Sequence, residues 1–275
     1  MPTFKTTAES MAQDHTLMAS RYELKYLIPH SLALKVREFL RHYVELDEFG
    51  VGQPNCAYPV HSLYLDSDDW KLYWHCERGD KNRFKIRVRY YNENPKTPVF
   101  FEIKRRMKDV ILKQRCAIRR ASAPSVLFGH VPGPEEMFAP TDPAELKAIH
   151  EFLRLQFSLG LKPKLHVYYA REAYVNATDN EVRITLDRSV QVVTRFDGQL
   201  STHMESPFVC SGDGSRPNDV VILELKFSGR FPNWYQDLVR IFNLTQEGAA
   251  KYVEGNIHYA GQRLPAANVI QKLVI

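Results

Sequence analysis

Over much of the chain, apolar and polar residues alternate with a period of two, the pattern of strands that bury one face. RYELKYLI, ending at Pro29, is the first such run, and a dense series follows at 60–66 (VHSLYLD), 83–91 (RFKIRVRYY), 98–106 (PVFFEIKRR) and 110–119 (VILKQRCAIR), with NENPK and MKD as turns. Further strands are expected at 164–175 (KLHVYYAREAYV), 182–187, 190–195 and 220–227, the last preceded by the polar loop SGDGSRPN. Helical spacing replaces alternation where Leu32, Val36, Phe39, Leu40 and Tyr43 recur, predicting a helix over 31–45 and a loop over 46–58. A second helix is expected over 142–159, where Asp142 offers an N-cap, Pro143 the first helical position and Glu145 a capping-box partner ahead of Leu146, Ile149 and Leu153. Helices are also expected at 232–243 and 246–254. Residues 1–19 read as a polar arm, 262–275 as a tail, and no repeat divides the stretch between them, so 20–261 is expected to form one α+β domain of many strands with peripheral helices.

Composition narrows the class. With 275 residues, 44% hydrophobic and 25% charged, the chain can bury a large core, which excludes fibrous and wholly disordered readings. No apolar run approaches the ~18 to 20 residues needed to span a bilayer, and MPTFKTTAESMAQDHTLMAS lacks the apolar centre of a signal peptide, so a cytoplasmic protein is expected. Cys56, Cys76, Cys116 and Cys210 stand apart from one another, as free thiols do, with no C-x-x-C pair. The net charge of +5 suits an anionic ligand, but the placement of the charges matters more than their sum.

Residues two apart on a strand share a face. Arg83, Lys85, Arg87 and Arg89 therefore form one row, with Phe84, Ile86, Val88 and Tyr90 on the other side. The same phase puts Arg21, Glu23 and Lys25 together, and likewise Glu102, Lys104 and Arg106; Lys113 and Arg115; Arg183, Thr185 and Asp187; and Glu224 and Lys226. Strand by strand, each row reads as the solvated face of an antiparallel sheet. Together they are too uniformly basic for that, because two cations about 4 Å apart repel by roughly 4 kcal/mol at an effective dielectric near 20. A converging basic surface calls for an anion, and the interspersed carboxylates suggest a divalent metal. If roughly eight such strands close on themselves, the expected fold is a closed antiparallel β-barrel with its charged faces inward and its apolar faces packed against helices. Such an interior suits a polyphosphate, whose oxygens Arg and Lys bind and whose Mg²⁺ or Mn²⁺ carboxylates hold.

In chain order, R-x-E-x-K at Arg21 to Lys25, S-x-Y-x-D at Ser62 to Asp66, K-x-R-x-R at Lys85 to Arg89, F-x-E-x-K at Phe100 to Lys104, K-x-R at Lys113 to Arg115, R-x-x-x-D at Arg183 to Asp187, L-E-x-K at Leu223 to Lys226 and K-Y at Lys251 make a joint pattern. It resembles the catalytic domain of the vacuolar transporter chaperone (VTC) polyphosphate polymerases, a branch of the CYTH-like triphosphate tunnel metalloenzymes, over residues 21 to about 260. That resemblance implies a triphosphate tunnel fold, ATP and polyphosphate as ligands, Mn²⁺ or Mg²⁺ as cofactor, and transfer of a terminal phosphoryl group to a growing chain. It assigns phosphate contacts to Lys25, Lys85, Arg87, Arg89, Lys104, Lys113, Arg115, Arg171, Arg183, Lys226 and Lys251, with Lys25, Arg87, Arg89, Lys226 and Lys251 nearest the chemistry, and a metal to Glu224, supported by Glu102 and Glu23. Two positions depart from the family pattern: Ala250 stands where its polymerases often carry Ser, and Arg21 takes the place of a carboxylate that the wider superfamily uses. The second favours a polymerase over a hydrolase. A membrane-protein partner is a further candidate implication.

Other signals are weaker. No H-E-x-x-H or P-loop motif occurs, and His61, His75, His150 and His166 read as surface or core residues. Trp70, Trp74 and Trp234 read as packing residues, and the Asn176 and Asn243 sequons as unmodified. A triphosphate hydrolase and a non-catalytic polyphosphate-binding module are the competing functions. Nucleic acid is not an expected partner, since bases and sugars could not reach rows of charge inside a closed tunnel.

Overall fold

A computed structural model of the protein describes residues 21–108, 110–176, 182–204, 208–209, 220–229 and 231–246. Lys251, Ala250, Cys210, the SGDGSRPN loop, the arm, the tail and most of the helix expected over 246–254 lie outside them. In chain order the elements are β1 (Arg21–Pro29), α1 (His30–Leu40), β2 (Glu45–Leu46), β3 (Tyr58–Asp66), α2 (Lys71–Glu77), β4 (Asn82–Tyr90), β5 (Pro98–Met107), β6 (Val110–Arg119), α3 (Ala123–Leu127), α4 (Pro143–Ser158), β7 (Lys162–Val175), β8 (Val182–Thr194), β9 (Phe208–Val209), β10 (Val220–Ser228) and α5 (Asn233–Ile241).

The strands form one ten-stranded antiparallel sheet in the order β1-β10-β8-β7-β3-β4-β5-β6, with β2 on β7 and β9 on β8. The expected closure is not seen: among the described residues β1 and β6 end the sheet and do not pair, so it is open rather than a barrel. It is nevertheless strongly curled. Lys104 Nζ on β5 reaches Glu23 Oε2 on β1 at 3.2 Å, a side-chain link between the first strand of the sheet order and the last but one. Right-handed twist and bulges supply curvature without edge pairing, and the register shifts between Tyr64 and Leu65 and between Tyr168 and Ala170 mark two such bends.

Alternation decides what packs where. On the convex face, Ile86, Val88, Phe101 and Ile103 meet Ile149 and Phe152 of α4, the rings of Phe101 and Phe152 lying 5.0 Å apart edge to face. Leu223, Leu225 and Ile184 meet Val36 and Leu40 of α1 and Tyr235 and Leu238 of α5. A third cluster lies on the concave side, where Tyr58, Val60, Tyr64, Leu165, Val167 and Tyr169 pack with Trp70 and Tyr73 from α2 and its lead-in. The interior is therefore not charged all round, because β3 and β7 place apolar and aromatic residues at the inward phase.

Several boundaries differ from the sequence pattern. α1 stops at Leu40, where His42 and Tyr43 bond back to Phe39 and Leu40 and turn the chain into β2. The two strands expected at 182–187 and 190–195 are the single β8, bent at Ser189 with φ 53°. Asp142 caps α4 through Ala144 N at 2.8 Å, but Glu145 does not complete the capping box; its Oε2 accepts from Ala117 N of β6 at 3.0 Å and pins the helix to the sheet. The short α2 and α3 escape periodicity because neither is long enough to show it.

α2 is held by one carboxylate. Buried Asp66 accepts from Ser67 N, Leu72 N and Tyr73 N at 2.8–2.9 Å, the last two being first-turn donors of α2 that an α-helix cannot satisfy from within. Replacing Asp66 with Ala should cost about 3 kcal/mol in urea unfolding, since several buried donors lose their acceptor at once. Asp142→Ala, at a half-exposed cap, should cost only about 1 kcal/mol.

Candidate phosphate-binding site

Register carries the inward phase from strand to strand. Glu23 and Lys25 of β1 face Lys226 and Glu224 of β10, which face Arg183 and Thr185 of β8. Asp187 faces Arg171 of β7, and Arg171 faces Tyr58 of β3. Farther round, Ser62 and Tyr64 face Arg89 and Arg87; Lys85 and Arg87 face Lys104 and Glu102; and these face Lys113 and Arg115 of β6. Apart from Arg21, every described residue that the sequence pattern proposed for the lining thus shares one concave face, on which bases far outnumber carboxylates.

Two knots of charge face each other across it. In the first, Lys25 Nζ lies 2.9 Å and Lys104 Nζ 3.2 Å from the Glu23 carboxylate, while Lys226 Nζ lies 3.2 Å from Glu224. Glu23 and Glu224 are within hydrogen-bonding reach of each other. Burial pushes the Glu23 carboxyl up, but this bond and the charges of Lys104, Lys25 and Lys226 overrule it and hold it well below the usual carboxylate range. Burial draws Lys226 down to about 8 against the pull of Glu224.

In the second knot, Arg87 spreads its guanidinium between partners: Nε and Nη2 reach Glu102 Oε2 at 2.8 and 2.7 Å, and Nη1 donates to Tyr64 Oη at 3.0 Å. Lys113 Nζ takes the other Glu102 oxygen at 2.8 Å. Arg89 donates to Ser62 Oγ at 3.3 Å and to Tyr169 Oη at 3.2 Å. Glu102 is buried; burial opposes its ionisation, yet Arg87, Arg89 and Lys113 hold it well below the usual range. Lys85, in register with Lys104, has its ammonium destabilised chiefly by burial and further by Lys25 and Lys104.

The remaining bases are placed differently. Arg171 gives Nε and Nη2 to the two oxygens of buried Asp187, both at 2.7 Å, so this fork is committed to an internal pair. Arg183 Nη2 reaches Asp47 Oδ2 at 3.0 Å, and the same oxygen accepts from Tyr58 Oη at 3.1 Å. Arg115 is exposed and stacks on Phe100 with its guanidinium 4.4 Å from the ring centroid. Lys251 falls outside the described residues.

Sequence reasoning gave no role to Tyr64, Tyr169 or Asp47. Tyr64 and Tyr169 were detectable in principle, standing two residues from Ser62 and from Arg171 at the inward phase, whereas Asp47 comes from a loop with no periodicity. Among the described residues no three His, Cys, Asp or Glu side chains gather as a metal site; Glu23 and Glu224 make a pair. Of the histidines set aside, His150 is exposed and His75 meets Asp80, but His61 and His166, 105 residues apart, join at 3.0 Å between Nδ1 and Nε2. This pair is buried on the convex side, where burial lowers them to about 4 and about 3. Trp70 packs in the concave cluster, and Trp234 stacks on Tyr43 at 5.0 Å. Among the described residues no helix is long and apolar enough to cross a membrane.

A family model described as the VTC domain matches residues 20–257, the stretch that builds this concave face. The chain belongs to the VTC domain family. The vacuolar transporter chaperone complex subunit 4 of Schizosaccharomyces pombe is 26% identical over 212 residues, covering 66% of this chain, and the chain spans only 29% of that relative's length. Among solved structures, a Bacillus halodurans protein described as a candidate adenylate cyclase aligns with a TM-score of 0.45 and 13% identity over 84% of this chain and 95% of its own.

Within this VTC domain the Arg171–Asp187 fork is a buried ion pair, whereas Arg115 is an exposed side chain stacked on Phe100. Asp187→Ala should cost about 3–5 kcal/mol in chemical unfolding by leaving a buried guanidinium unpaired, whereas Arg115→Ala, at an exposed stacked side chain, should cost less than about 1 kcal/mol.

Proposed function

We propose that the chain is a polyphosphate polymerase that moves the terminal phosphoryl group of ATP onto the end of a polyphosphate lying in the basic trough. The observation that carries this reading is the pair of charge knots, Lys25–Glu23–Lys104 with Lys226–Glu224, and Arg87–Glu102–Lys113 with Arg89, facing each other across one concave surface. Lys104 of one wall meets Glu23 of the other at 3.2 Å, so phosphates lying along this face can be touched from both walls.

In the reaction, a terminal oxygen of the polyphosphate attacks the γ-phosphorus, the bond from that phosphorus to the β,γ-bridging oxygen breaks, and ADP leaves with the bridging oxygen. The attacking oxygen is already ionised at neutral pH, so no side chain need remove a proton. The carboxylates agree with this economy. Glu23 and Glu102 are held as ions by their cation partners, which makes them poor bases for activating water and favours chain extension over hydrolysis. Glu102 orients Arg87 and Lys113 instead, and Arg87 and Arg89 offer rigid forks to adjacent phosphate oxygens while Lys25, Lys85, Lys104 and Lys226 supply point charges.

Glu23 and Glu224 fit Mg²⁺ or Mn²⁺: they are hard oxygen donors close enough to share a cation, and such ions commonly take one or two carboxylates and complete their shell with phosphate oxygens and water. Once bound, the metal would neutralise charge on the transferring phosphoryl group. Use of ATP implies the cytoplasm as the working compartment, and the complex named for the Schizosaccharomyces pombe relative supports partner proteins as part of this proposal; that one of them is a membrane protein rests on the family resemblance alone.

The test is ³¹P NMR of the purified protein with ATP and Mn²⁺. Internal polyphosphate signals should grow, and Arg87→Ala or Glu224→Ala should slow their growth by about a hundredfold or more while the proteins remain folded. Orthophosphate without chain growth would instead identify a hydrolase, and saturable tripolyphosphate binding without turnover a binding module.

A further inference from the structure

Along β4 and β5 the inward row of charge continues past both knots. Arg83 stands directly opposite Arg106, Lys85 opposite Lys104, and Lys104 opposite Lys113 of β6, so pairs of like charge follow one another toward one end of the trough. Like charges directly opposite each other destabilise a sheet. At Lys104 the Glu23 carboxylate, 3.2 Å away, offsets the repulsion. One step farther out, backbone carbonyls take that place: Arg83 Nη1 donates to Asp80 O at 2.5 Å and Arg106 Nε to Lys108 O at 2.9 Å. Such bonds aim a guanidinium without cancelling its charge. The Asp80 carboxylate is turned to His75 instead. Just beyond the strand ends, exposed Lys81 and Lys108 are joined through Lys108 N and Lys81 O at 2.9 Å, and among the described residues none of these four bases has a carboxylate partner. The other end of the trough is different. There the inward row of β4 passes from Arg89 to Tyr91 and that of β5 begins with Phe100, the Tyr91 ring lying 6.2 Å from both Phe100 and Tyr58. The arginines nearest that end, Arg171 and Arg183, are paired with Asp187 and Asp47.

We propose that the end of the β4–β5 hairpin, Arg83 and Arg106 with Lys81 and Lys108, is a separate binding site for long polyphosphate, holding the part of the chain that runs out of the trough. The inference rests on the reading of the trough as a phosphate site. Residues two apart on a strand are about 6.7 Å apart, so Arg83 lies about 13 Å along β4 from Arg87. A triphosphate has only two P–O–P links, so one seated against Arg87 and Arg89 leaves Arg83 and Arg106 to phosphates farther along a longer chain. Each added phosphate brings a negative charge to a row of like charges, and the repulsion in the empty hairpin is relieved only when the chain is long enough to reach it. The trough thereby gains a direction: a long chain leaves over the cationic hairpin and not over the aromatic end. Exposed Met107 and Val110 pair on the opposite face of the hairpin, away from this row.

The experiment is calorimetric binding of tripolyphosphate and of inorganic polyphosphate tens of units long. It compares the protein with Arg83→Gln/Arg106→Gln and with Lys81→Gln/Lys108→Gln, whose side chains are exposed and whose loss leaves the strands intact. Lys35→Gln/Arg240→Gln, an equal loss of charge at exposed positions of α1 and α5, is the control, and circular dichroism confirms equal folding. Each hairpin variant should lose about tenfold more affinity for the long chain than for tripolyphosphate, and the slope of its long-chain affinity against salt on logarithmic axes should flatten by about 1 to 2. The control should move the ratio of the two affinities by less than about threefold, since distant exposed charges are screened. Equal losses for both ligands, no loss for either, or a control that shifts the ratio as far as the hairpin variants would overturn the proposal. So would hairpin variants that lose binding only to a single-stranded oligonucleotide or to vesicles of anionic lipid. A protein that binds neither phosphate ligand would overturn the phosphate-site reading instead, so the two failures are distinguishable.

Discussion

Repulsion between cations crowded onto one curved face is the constraint on which the rest of this structure depends. A flat basic sheet would let Lys85, Arg87, Lys104 and Lys113 spread into water, but the curl that lets Lys104 touch Glu23 brings opposite walls within side-chain reach. Interleaved carboxylates make this tolerable. Glu23, Glu224, Glu102 and Asp187 each sit at the inward phase beside a base, and the Asp187–Arg171 fork is closed on both oxygens. The bases still outnumber them, and that surplus is stored electrostatic potential, available to any polyanion that fits.

The apolar clusters hold the charges at that separation. α4 clamps the β4–β6 side through Phe101 and Phe152, α1 and α5 clamp the β1–β10–β8 side, and Asp66 seats α2 against the concave wall. The concave cluster of Tyr58, Val60, Leu165, Val167 and Tyr169 also matters to the chemistry, because low-polarity side chains beside the basic groups lower the local dielectric and strengthen every ionic contact there. Burial in the same surroundings draws Lys226 down to about 8.

Much of this was legible from alternation alone. A strand's side chains have a period of two, so the phase of RFKIRVRY or FEIKRR fixes which residues share a face before any partner strand is known, and every described lining residue appears on the face that phase requires. The N-cap at Asp142 is equally local. Phase could not say how far the sheet curls, whether its ends pair, or that the inward phase of β3 and β7 is apolar in a wall charged elsewhere, since each of these depends on which strands become neighbours. It also gave the wrong partner for Glu145, which serves Ala117 across the fold rather than its own helix start.

The sequence by itself determined the strands, their charged faces and the family to which the chain belongs, because these are properties of short windows and of their order. Only the tertiary structure decided which charges remain available. It committed Arg171 to Asp187 and Arg183 to Asp47, joined His61 to His166 across 105 residues, and placed Tyr64 against Arg87. Ion pairing falls off within a few ångströms, so the role of each charged side chain is set by the one or two groups it meets after folding, and those come from strands far apart in the chain.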